Sequence, residues 1–489
     1  MTSLPLFPAR RGDELSPKEE GRSPSGSRDD VQRIIGAVWD FSALLVFIEL
    51  NIAGHLADEP LTVDELAERC GADSGALWRV LRALEPYDLA RFRWGERWVL
   101  TAIGTLLHDG AGETIRRHVR KRAEPHRWQE VLTWPEQVTA GQLVTPSPRI
   151  RRGLSASACI GQADLLDSVD DVGALFVAAQ LGLADRLAST PMCIEDLVTE
   201  YGADSRTLSW MLRRLISHGL FSRRGGLYVT RPAGKTLRKD RADSMLPAVL
   251  MNSQTLWWEM LRRLPDTVRL GMPTLPDGSS STYAYLAAHP DILARFQAFM
   301  GTRTYPIAQQ LAAEAIPGST VVDVGGGHGT VLAEILKKQP TCRGVLLERP
   351  DVIPAARISL ADRGLLERCT LIAGNFFAEV PAGGHTYILG SVLHNWSDDH
   401  ARRILKRVRE AMMRTGDSRL WCIDALLPLN DEPHPGRSLD MRMLSLFGAG
   451  QERTRREYET LLADAGLTVR RQARLPHALT MTEAVIAAQ

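Results

Sequence analysis

The sequence lacks the features of several protein classes. Its six cysteines are scattered and form no C-x-x-C pair, which argues against a zinc site or a disulfide framework and for a reducing compartment. With 59 basic and 58 acidic residues, the formal net charge is +1, which gives no general case for a nucleic-acid or membrane partner. No apolar run approaches the roughly 20 residues of a membrane-spanning helix, and no signal-peptide core is seen. We therefore expect a cytoplasmic protein without a bound metal.

The length of 489 residues is too great for a single core and predicts two to four domains. Residues 1 to about 30 are rich in Pro, Ser and charged side chains. Such a segment cannot bury enough apolar surface to offset its chain entropy, so we expect a disordered leader.

An internal repeat follows the leader. Residues 43–89 align without a gap on residues 174–220, at an offset of 131. After a shift of one residue the match continues, with Trp98 opposite Tyr228 and Gly104 opposite Gly234. Trp128 also has a counterpart in the tryptophan pair at 257–258. Two copies at this spacing indicate a duplicated domain rather than a solenoid.

Each copy is typical of a winged helix. In the first copy, Thr62 and Glu65 predict a capping box that opens a short helix, and Ser74 is predicted to cap the next helix. Residues 89–92 and 97–100 then form a hairpin, the wing. A DNA-binding helix needs base-reading side chains on a basic face, whereas arginines beside a leucine stripe favour a solvated face. The arginines concerned are Arg79, Arg82, Arg206, Arg213 and Arg214.

The most informative stretch is 321–330, Val-Val-Asp-Val-Gly-Gly-Gly-His-Gly-Thr. It predicts a strand, a glycine-rich loop and a helix. Glycines permit positive φ and close approach of a ligand, and the N-terminus of the following helix favours negative charge. The spacing is G-x-G-x-G and not the dinucleotide fingerprint G-x-G-x-x-G. We therefore expect a nucleotide-like site that does not bind a dinucleotide.

The βα alternation continues downstream. Strands are predicted at 344–348, 370–374, 386–389 and 420–424, with helices at about 331–338, 352–363, 400–413 and 454–465. This pattern predicts an open, mostly parallel sheet with its ligands outside the carboxyl ends of the strands.

Several side chains fall at those strand ends. Glu348, about 22 residues past the glycine loop, can accept hydrogen bonds from two ribose hydroxyls. Asn375 and Phe376 offer an amide and an aromatic ring that suit an adenine. His394 precedes a helix predicted to be capped by Ser397, and this position favours a general base over a structural histidine.

These residues belong to five motifs: Asp323-Val-Gly-Gly-Gly-His-Gly, Leu347-Glu-Arg-Pro, Gly374-Asn-Phe-Phe, His394-Asn-Trp and Glu452-Arg-Thr. In order and spacing, the motifs resemble those of the S-adenosylmethionine-dependent O-methyltransferases of plant caffeate and flavonoid metabolism and bacterial polyketide tailoring. The resemblance covers about residues 165–489. It implies a winged-helix dimerisation domain, a helical linker and a Rossmann-like methyltransferase domain. Together with the internal repeat, this predicts an α/β Rossmann-like methyltransferase domain preceded by two mainly α winged-helix domains. The predicted boundaries are a leader at 1–30, a first copy at 31–150, a second copy with a helical linker at 151–285 and a catalytic domain at 286–489.

The resemblance also implies a role for each matched residue. The residues binding S-adenosyl-L-methionine would be Asp323, Gly325, Gly326, Gly327, Glu348, Asn375, Phe376, Gly390 and Ser391. His394 would be the general base, with Asp424 and Glu452 orienting it and stabilising its charge. The acceptor pocket would include Phe296, Met300, Arg303, Met443 and Phe447.

The chain departs from the family pattern at several of these positions. Asn375 and Glu348 each replace an aspartate, Asp424 replaces a glutamate, and Gly390 stands where a lysine is frequent. Asn395 replaces the aspartate of the usual His-Asp-Trp triplet. Asn and Glu can still accept the hydrogen bonds concerned, and the retained His394 favours base chemistry.

We therefore predict methyl transfer to an acceptor oxygen, a hydroxyl or a carboxyl, of a small-molecule or peptide natural product. The alternatives are an N- or C-methyltransferase, a non-methylating relative and a DNA-binding regulator.

The extra winged helix leaves three arrangements open, because members of the family usually dimerise through a single one. The first copy docks on the second to give a pseudo-dimeric monomer, or it recognises a large substrate such as a peptide, or ordinary homodimers persist with the copy as an added layer.

Overall fold

The computed structural model describes residues 24–93, 95–108, 112–145, 147, 163–241, 243–314, 316 and 318–487. Both repeat copies lie in a mainly helical N-terminal part, and a C-terminal part is built on one mixed sheet. The predicted fold class is confirmed. Residues 1–23 of the predicted leader lie outside the described residues. The prediction of disorder is wrong for residues 24–30, because helix α1 already begins at Pro24.

The first copy comprises eight helices and three strands among the described residues. They are α1 (Pro24–Glu49), α2 (Ile52–Asp58), β1 (Leu61–Thr62), α3 (Val63–Cys70), α4 (Ser74–Leu84), β2 (Ala90–Arg93), β3 (Arg97–Leu100), α5 (Ala102–Thr105), α6 (Gly112–Arg122), α7 (Pro125–Leu132) and α8 (Trp134–Thr139).

The second copy repeats this order, with a wing of two strands. Its elements are α9 (Ala163–Gln180), α10 (Leu183–Ser189), α11 (Ile194–Tyr201), α12 (Ser205–Ser217), β4 (Phe221–Arg224), β5 (Leu227–Thr230), α13 (Pro232–Lys235), α14 (Leu246–Asn252), α15 (Thr255–Arg262) and α16 (Leu264–Leu270).

The helix starts of the first copy test two predicted caps. The capping box is confirmed, since Glu65 N–H donates to Thr62 Oγ1 and Thr62 N–H donates to Glu65 Oε2. The prediction that Ser74 caps α4 is wrong. Asp73 is the cap, because its Oδ1 lies 2.8 Å from the Ala76 nitrogen and accepts that hydrogen bond.

The two copies share one hydrophobic core. The equivalent helices α1 and α9 pack on each other, and the equivalent residues Trp128 and Trp258 meet edge to face with ring centroids 4.8 Å apart. Asp73 N–H of the first copy donates to Val268 O of the second, and Val144 N–H of the first donates to Thr207 Oγ1 of the second. The packing of α1 on α9 and of Trp128 on Trp258 pairs like with like, as a two-fold interface does.

Helix α1 contradicts the expectation that no apolar run approaches membrane-spanning length. Its segment Arg28–Glu49 has 22 residues and a mean hydropathy of 1.6, enough by length and composition to cross a membrane. However, 78% of that window is buried inside the protein, where α1 packs against α9 and against the helix Pro435–Phe447 of the C-terminal part. This burial is that of a core helix.

The C-terminal part follows two connecting helices, α17 (Thr282–Ala288) and α18 (Pro290–Ala312). Its strands are β6 (Thr320–Val324), β7 (Arg343–Glu348), β8 (Cys369–Ala373), β9 (Thr386–Gly390), β10 (Arg419–Leu427), β11 (Arg453–Thr454), β12 (Leu467–Arg474) and β13 (Leu479–Ile486). Its helices are α19 (Thr330–Lys338), α20 (Ile353–Asp362), α21 (Asp398–Thr415), α22 (Pro435–Phe447) and α23 (Arg455–Asp464). Every strand and helix predicted after Val321 is present.

The sheet has the order β12-β13-β10-β9-β6-β7-β8, with β11 paired to β10. The strands from β6 to β10 are parallel, and β12 and β13 close one edge in antiparallel fashion. From β6 the chain winds outward through β7 and β8, then returns to β9 on the other side. The carboxyl ends of β6 and β9 therefore flank a switch point, where ligands bind in such sheets.

The arginines of α4 attach the first copy to the C-terminal part. Arg79 and Arg82 are only 5% and 6% exposed, so the expected solvated face is wrong for these two. Arg79 reaches Asp440 of α22 at 2.9 Å, and Arg82 reaches the same carboxylate at 3.3 Å. Arg214 is likewise buried and pairs with Asp171 at 2.6 Å, whereas Arg206 and Arg213 are exposed.

We expect Asp440→Asn to lower the free energy of unfolding by about 3–5 kcal/mol, because it leaves buried arginines without their counter-charge. Urea unfolding followed by tryptophan fluorescence measures this. The matched control is Glu59→Gln, which removes the exposed pair with Arg69 and should cost less than about 1 kcal/mol. Equal effects of the two substitutions on the free energy of unfolding would contradict the larger contribution expected of the buried ion pair.

Candidate active site

The glycine loop lies between β6 and α19, at the switch point of the sheet. Gly325, Gly327 and Gly329 have φ of +73°, +58° and +74°, a region that glycine adopts without strain. A Cβ at Gly326 would lie 2.2 Å from Asp323 Oδ2, and one at Gly325 would lie 3.1 Å from Val392 Cγ2. The sequence therefore needs glycine here both for backbone conformation and for space.

Glu348 lies across from this loop at the end of β7. Its Oε2 accepts a hydrogen bond of 3.0 Å from Gly327 N–H, and its Oε1 accepts one of 2.8 Å from Arg349 N–H. The two bonds fix the carboxylate at the rim of the loop. Each oxygen retains a lone pair, so the carboxylate can still accept hydrogen bonds from a diol.

Asp323 is buried beneath the loop at 1% exposure, and its Oδ2 has no hydrogen-bond partner among the described residues. Burial, together with the nearby charge of Glu348, raises the pKa of this carboxyl from 3.8 to about 7. Asp323 thus carries a proton over a pH range where an exposed aspartate does not.

The next two strand ends place the remaining residues of the predicted cofactor site. Asn375 Oδ1 accepts from Phe377 N–H at 2.9 Å, and the Phe376 ring meets Trp396 edge-on at 6.1 Å between centroids. Gly390 ends β9. Ser391 follows it in the left-handed region, at φ +54°, which is strained for a residue other than glycine and is concentrated at functional sites.

His394 lies in a 3-10 turn after β9 and is 5% exposed. Its Nδ1 lies 2.7 Å from Glu452 Oε1 and 3.9 Å from Asp424 Oδ1. The short contact assigns the proton to Nδ1, which donates to Glu452 and leaves Nε2 with its lone pair free. The imidazole can therefore take a proton at Nε2, and two carboxylates face the positive charge that results.

Asp424, at the end of the parallel part of β10, is 2% exposed and accepts from Tyr458 OH at 2.7 Å. Burial raises the pKa of Asp424 to about 6, with His394 lowering it and Glu452 raising it. Ser397 starts the following helix, as predicted, but its hydroxyl contacts His400 Nδ1 and makes no capping bond.

The backbone of Glu452 is held at both ends by groups that pack around α22. Its N–H donates to Asp440 Oδ1 at 2.8 Å, and its carbonyl accepts from Arg82 at 2.9 Å. Arg79 donates to the same Asp440 carboxylate. The first copy thus contacts the residue that orients His394.

A cavity of about 490 Å³, including the space at its mouth, has Ala425 in its wall, the residue that follows Asp424. Of the predicted acceptor residues, Arg303 lines it, next to Phe299 and Thr302. Phe296 and Phe447 instead pack against the N-terminal core. Met443 is buried at 3% exposure, and Met300 is half-buried. The structure therefore brings Arg303 alone of the five to this cavity.

Sequence reasoning missed several residues of the site. Arg28, Arg442 and His477 also line the cavity, and Tyr458 bonds to Asp424. Arg28 lies in the segment predicted to be disordered, and no motif marks the others. An arginine on an otherwise apolar face of α22 was the available signal for Arg442.

Family comparisons agree with this geometry. The O-methyltransferase domain matches residues 277–468, and the O-methyltransferase dimerisation domain matches twice, at residues 32–110 and 164–240. The second match reproduces the internal repeat.

Individual proteins are similar over most of their own length. Phenazine O-methyltransferase PhzM of Lysobacter antibioticus is 36% identical, with 63% of this chain and 91% of that protein covered. Mitomycin biosynthesis 6-O-methyltransferase of Streptomyces lavendulae is 35% identical over 63% and 88% of the two chains. Two further relatives, at 31% identity, are named as N-methyltransferases.

Among solved structures, CalO1, a methyltransferase of calicheamicin biosynthesis in its S-adenosylhomocysteine-bound form, superposes with a TM-score of 0.60 at 29% identity. The alignment covers 69% of this chain and all of that one. With its motifs, its fold and these matches taken together, the chain belongs to the S-adenosylmethionine-dependent O-methyltransferase family and is a methyltransferase.

Proposed function

We propose that this enzyme transfers a methyl group to a hydroxyl oxygen of an aromatic small-molecule natural product, with His394 as the general base. The observation that carries the proposal is the 2.7 Å contact between His394 Nδ1 and Glu452, which leaves Nε2 free to accept a proton. The O-methyltransferases named for phenazine and mitomycin pathways support an oxygen acceptor.

The chain's own residues supply the proton chemistry. S-adenosylmethionine, when bound, supplies a sulfonium methyl group. A phenol with a pKa near 10 is mostly protonated at neutral pH, so removal of its proton as the new C–O bond forms lowers the barrier. His394 Nε2 takes that proton. Glu452 and Asp424 hold the tautomer and stabilise the imidazolium, as flanking carboxylates do in other enzymes.

The loop residues fit the cofactor. A Cβ at Gly327 would meet nothing within 4 Å, so the backbone there is open to a ligand, and the buried Asp323 Oδ2 lacks a partner. We assign the ribose hydroxyls to Glu348 and the adenine to Asn375 and Phe376. The remaining assignments to the methionine part are Gly325, Gly326, Gly327, Gly390 and Ser391.

The acceptor assignments to Phe296, Met300, Met443 and Phe447 stay predictions. A hydroxyl and a ring nitrogen can both lose a proton to His394, and relatives named as N-methyltransferases make nitrogen the second candidate acceptor. The burial of Arg79 and Arg82 against Asp440 gives a DNA-binding function no support from these two side chains.

We further propose that the two dimerisation-type domains pair within one chain, which makes the enzyme a pseudo-dimeric monomer. The Trp128–Trp258 contact, the hydrogen bonds between the copies and the shared core support this arrangement. The first copy also supplies Arg82 to Glu452 and Arg28 to the cavity. A homodimer that paired through the same faces could form only if the two copies within each chain separated and exposed this core.

We expect His394→Ala to lower kcat for methyl transfer by about 100-fold or more while leaving the affinity for S-adenosylhomocysteine unchanged. Transfer of labelled methyl from S-adenosylmethionine to a panel of phenols, together with calorimetric titration, measures both. Glu452→Gln should show an intermediate loss because it keeps a hydrogen-bond acceptor but not the charge. Loss of cofactor binding in His394→Ala, or full activity, would contradict the assignment.

Light scattering tests the pseudo-dimer. We expect a molar mass near the 54.0 kDa of one chain, independent of protein concentration, because the first copy already covers the pairing face of the second. A mass of twice that value would show that chains pair through another surface and would contradict the proposal.

Asp323 should make stability depend on pH. Because its pKa is raised to about 7 in the folded protein, the folded state binds this proton more tightly than the unfolded chain. Stability is therefore lost as the pH rises from about 4 to about 7, by up to about 1.4 kcal/mol per pH unit. Urea midpoints between about pH 5 and 8 should fall more steeply in the wild type than in Asp323→Asn, and parallel profiles would contradict the assignment.

A further inference from the structure

We propose that the methyl acceptor carries a carboxylate beside its reacting group, and that Arg303 and Arg442 bind this carboxylate in the cavity next to His394. This inference rests on the proposed function and specifies the acceptor's chemical class.

Among the residues that the structure describes, the cavity is lined by three arginines and by no aspartate or glutamate. Its other walls are largely apolar and include Met245, Phe299 and Leu439. A site of this kind favours a ligand with a flat apolar body and a negative group. The three arginines differ in whether the protein itself already supplies a counter-charge.

Arg28 is balanced. Its guanidinium forms an ion pair with Asp243 Oδ2 at 3.1 Å and contacts His477 Nε2 at 3.3 Å. Burial, together with the charges of Arg28 and Arg303, lowers the pKa of His477 to about 3. A neutral imidazole can accept a hydrogen bond from Arg28, so the Arg28 guanidinium has both a carboxylate and an imidazole as partners, and only its Nε has none among the described residues.

The positive charges of Arg303 and Arg442 have no such counter-charge among the described residues. Neither guanidinium makes a hydrogen bond or an ion pair with any residue in the described part of the chain. Arg442 lies against the Phe299 ring, with its Cζ 5.8 Å from the centroid. Burial and the charge of Arg303 together lower the pKa of Arg442 to about 10. A guanidinium keeps its charge at neutral pH.

Both side chains are only partly exposed, so water hydrates their charges incompletely and a counter-charge that enters the cavity is favoured. A guanidinium presents parallel N–H donors that match the two oxygens of a carboxylate. Two guanidinium groups facing one cavity therefore form an anion site, and the Phe299 ring beside Arg442 gives an aromatic acceptor a surface on which to pack.

The site is close to the proposed reacting centre. Ala425, the residue after Asp424, lines the same cavity as Arg303 and Arg442. The charges of Glu452 and Asp424 also act on Arg303, raising its pKa against the effect of burial. Both are committed elsewhere, Glu452 to His394 and Asp424 to Tyr458. An acceptor held by its carboxylate at Arg303 and Arg442 would thus lie beside the imidazole.

The methionine carboxylate of the cofactor is a second possible source of the same chemistry, so the experiment separates the two. Enzyme saturated with S-adenosylhomocysteine is titrated calorimetrically with 3-hydroxy-2-naphthoate and with 2-naphthol, which share the ring and the hydroxyl. We expect the acid to bind at least about tenfold more tightly. Arg442→Met and Arg303→Met should each remove most of that preference without weakening 2-naphthol.

Arg295→Met is the matched control, because Arg295 lies on the same helix as Arg303 but is exposed and does not line the cavity. It should keep the full preference, and thermal melting should confirm that all three variants are folded.

Two results would overturn the inference. The first is that the wild type binds 3-hydroxy-2-naphthoate no more tightly than 2-naphthol, or binds neither. The other is weaker S-adenosylhomocysteine binding by Arg303→Met and Arg442→Met than by Arg295→Met, which would assign the arginines to the cofactor. Failure of the wild type to bind S-adenosylhomocysteine at all would instead contradict the proposed function.

Discussion

The Asp440 carboxylate joins the separate parts of this molecule. It receives Arg79 and Arg82 from the first copy and the backbone N–H of Glu452 from the α/β part. Because Glu452 orients His394, one buried anion connects the N-terminal repeat to the proposed base. A carboxylate alone at 1% exposure would be strongly disfavoured. The arginines make its burial possible, and the anion in turn makes theirs possible.

The pairing of the two copies creates the surroundings of that anion. Their shared core fixes α4 against α22, which brings Arg79 and Arg82 to Asp440. It also fixes α1, whose first turns carry Arg28 to the cavity. A single winged helix in this chain could not cover both its own pairing face and this side of the catalytic part. The duplication therefore contributes to the site as well as to the size of the protein.

Local patterns explain why much of the fold was predictable. The capping box at Thr62, the glycine loop and the βα order each depend on residues within a few positions of one another, and all are present in the structure. Asp73 rather than Ser74 caps α4 because the longer side chain precedes the helix and reaches the Ala76 N–H. The choice between two adjacent cap residues is decided by geometry that spacing does not show.

Long-range pairs explain what was missed. The expected solvated face was wrong for Arg79 and Arg82 because their partner, Asp440, lies more than 350 residues away in sequence. The residues that line the cavity are also far apart in sequence, since Arg28, Arg303 and Arg442 come from three separate helices. Motifs predicted the cofactor loop and His394, because each motif is a run of adjacent residues, whereas the acceptor cavity required the assembled fold.

Joining two pairing domains in one chain also removes a constraint on their sequences. In a homodimer, one sequence must serve both halves of the interface. Here the position equivalent to Arg79 is Trp210, which packs edge-on against Trp134 with centroids 5.5 Å apart, whereas Arg79 binds Asp440. A side chain cannot do both. Covalent linkage has therefore allowed the halves to specialise, one for contact with the catalytic centre and the other for holding its partner, and dilution cannot separate them.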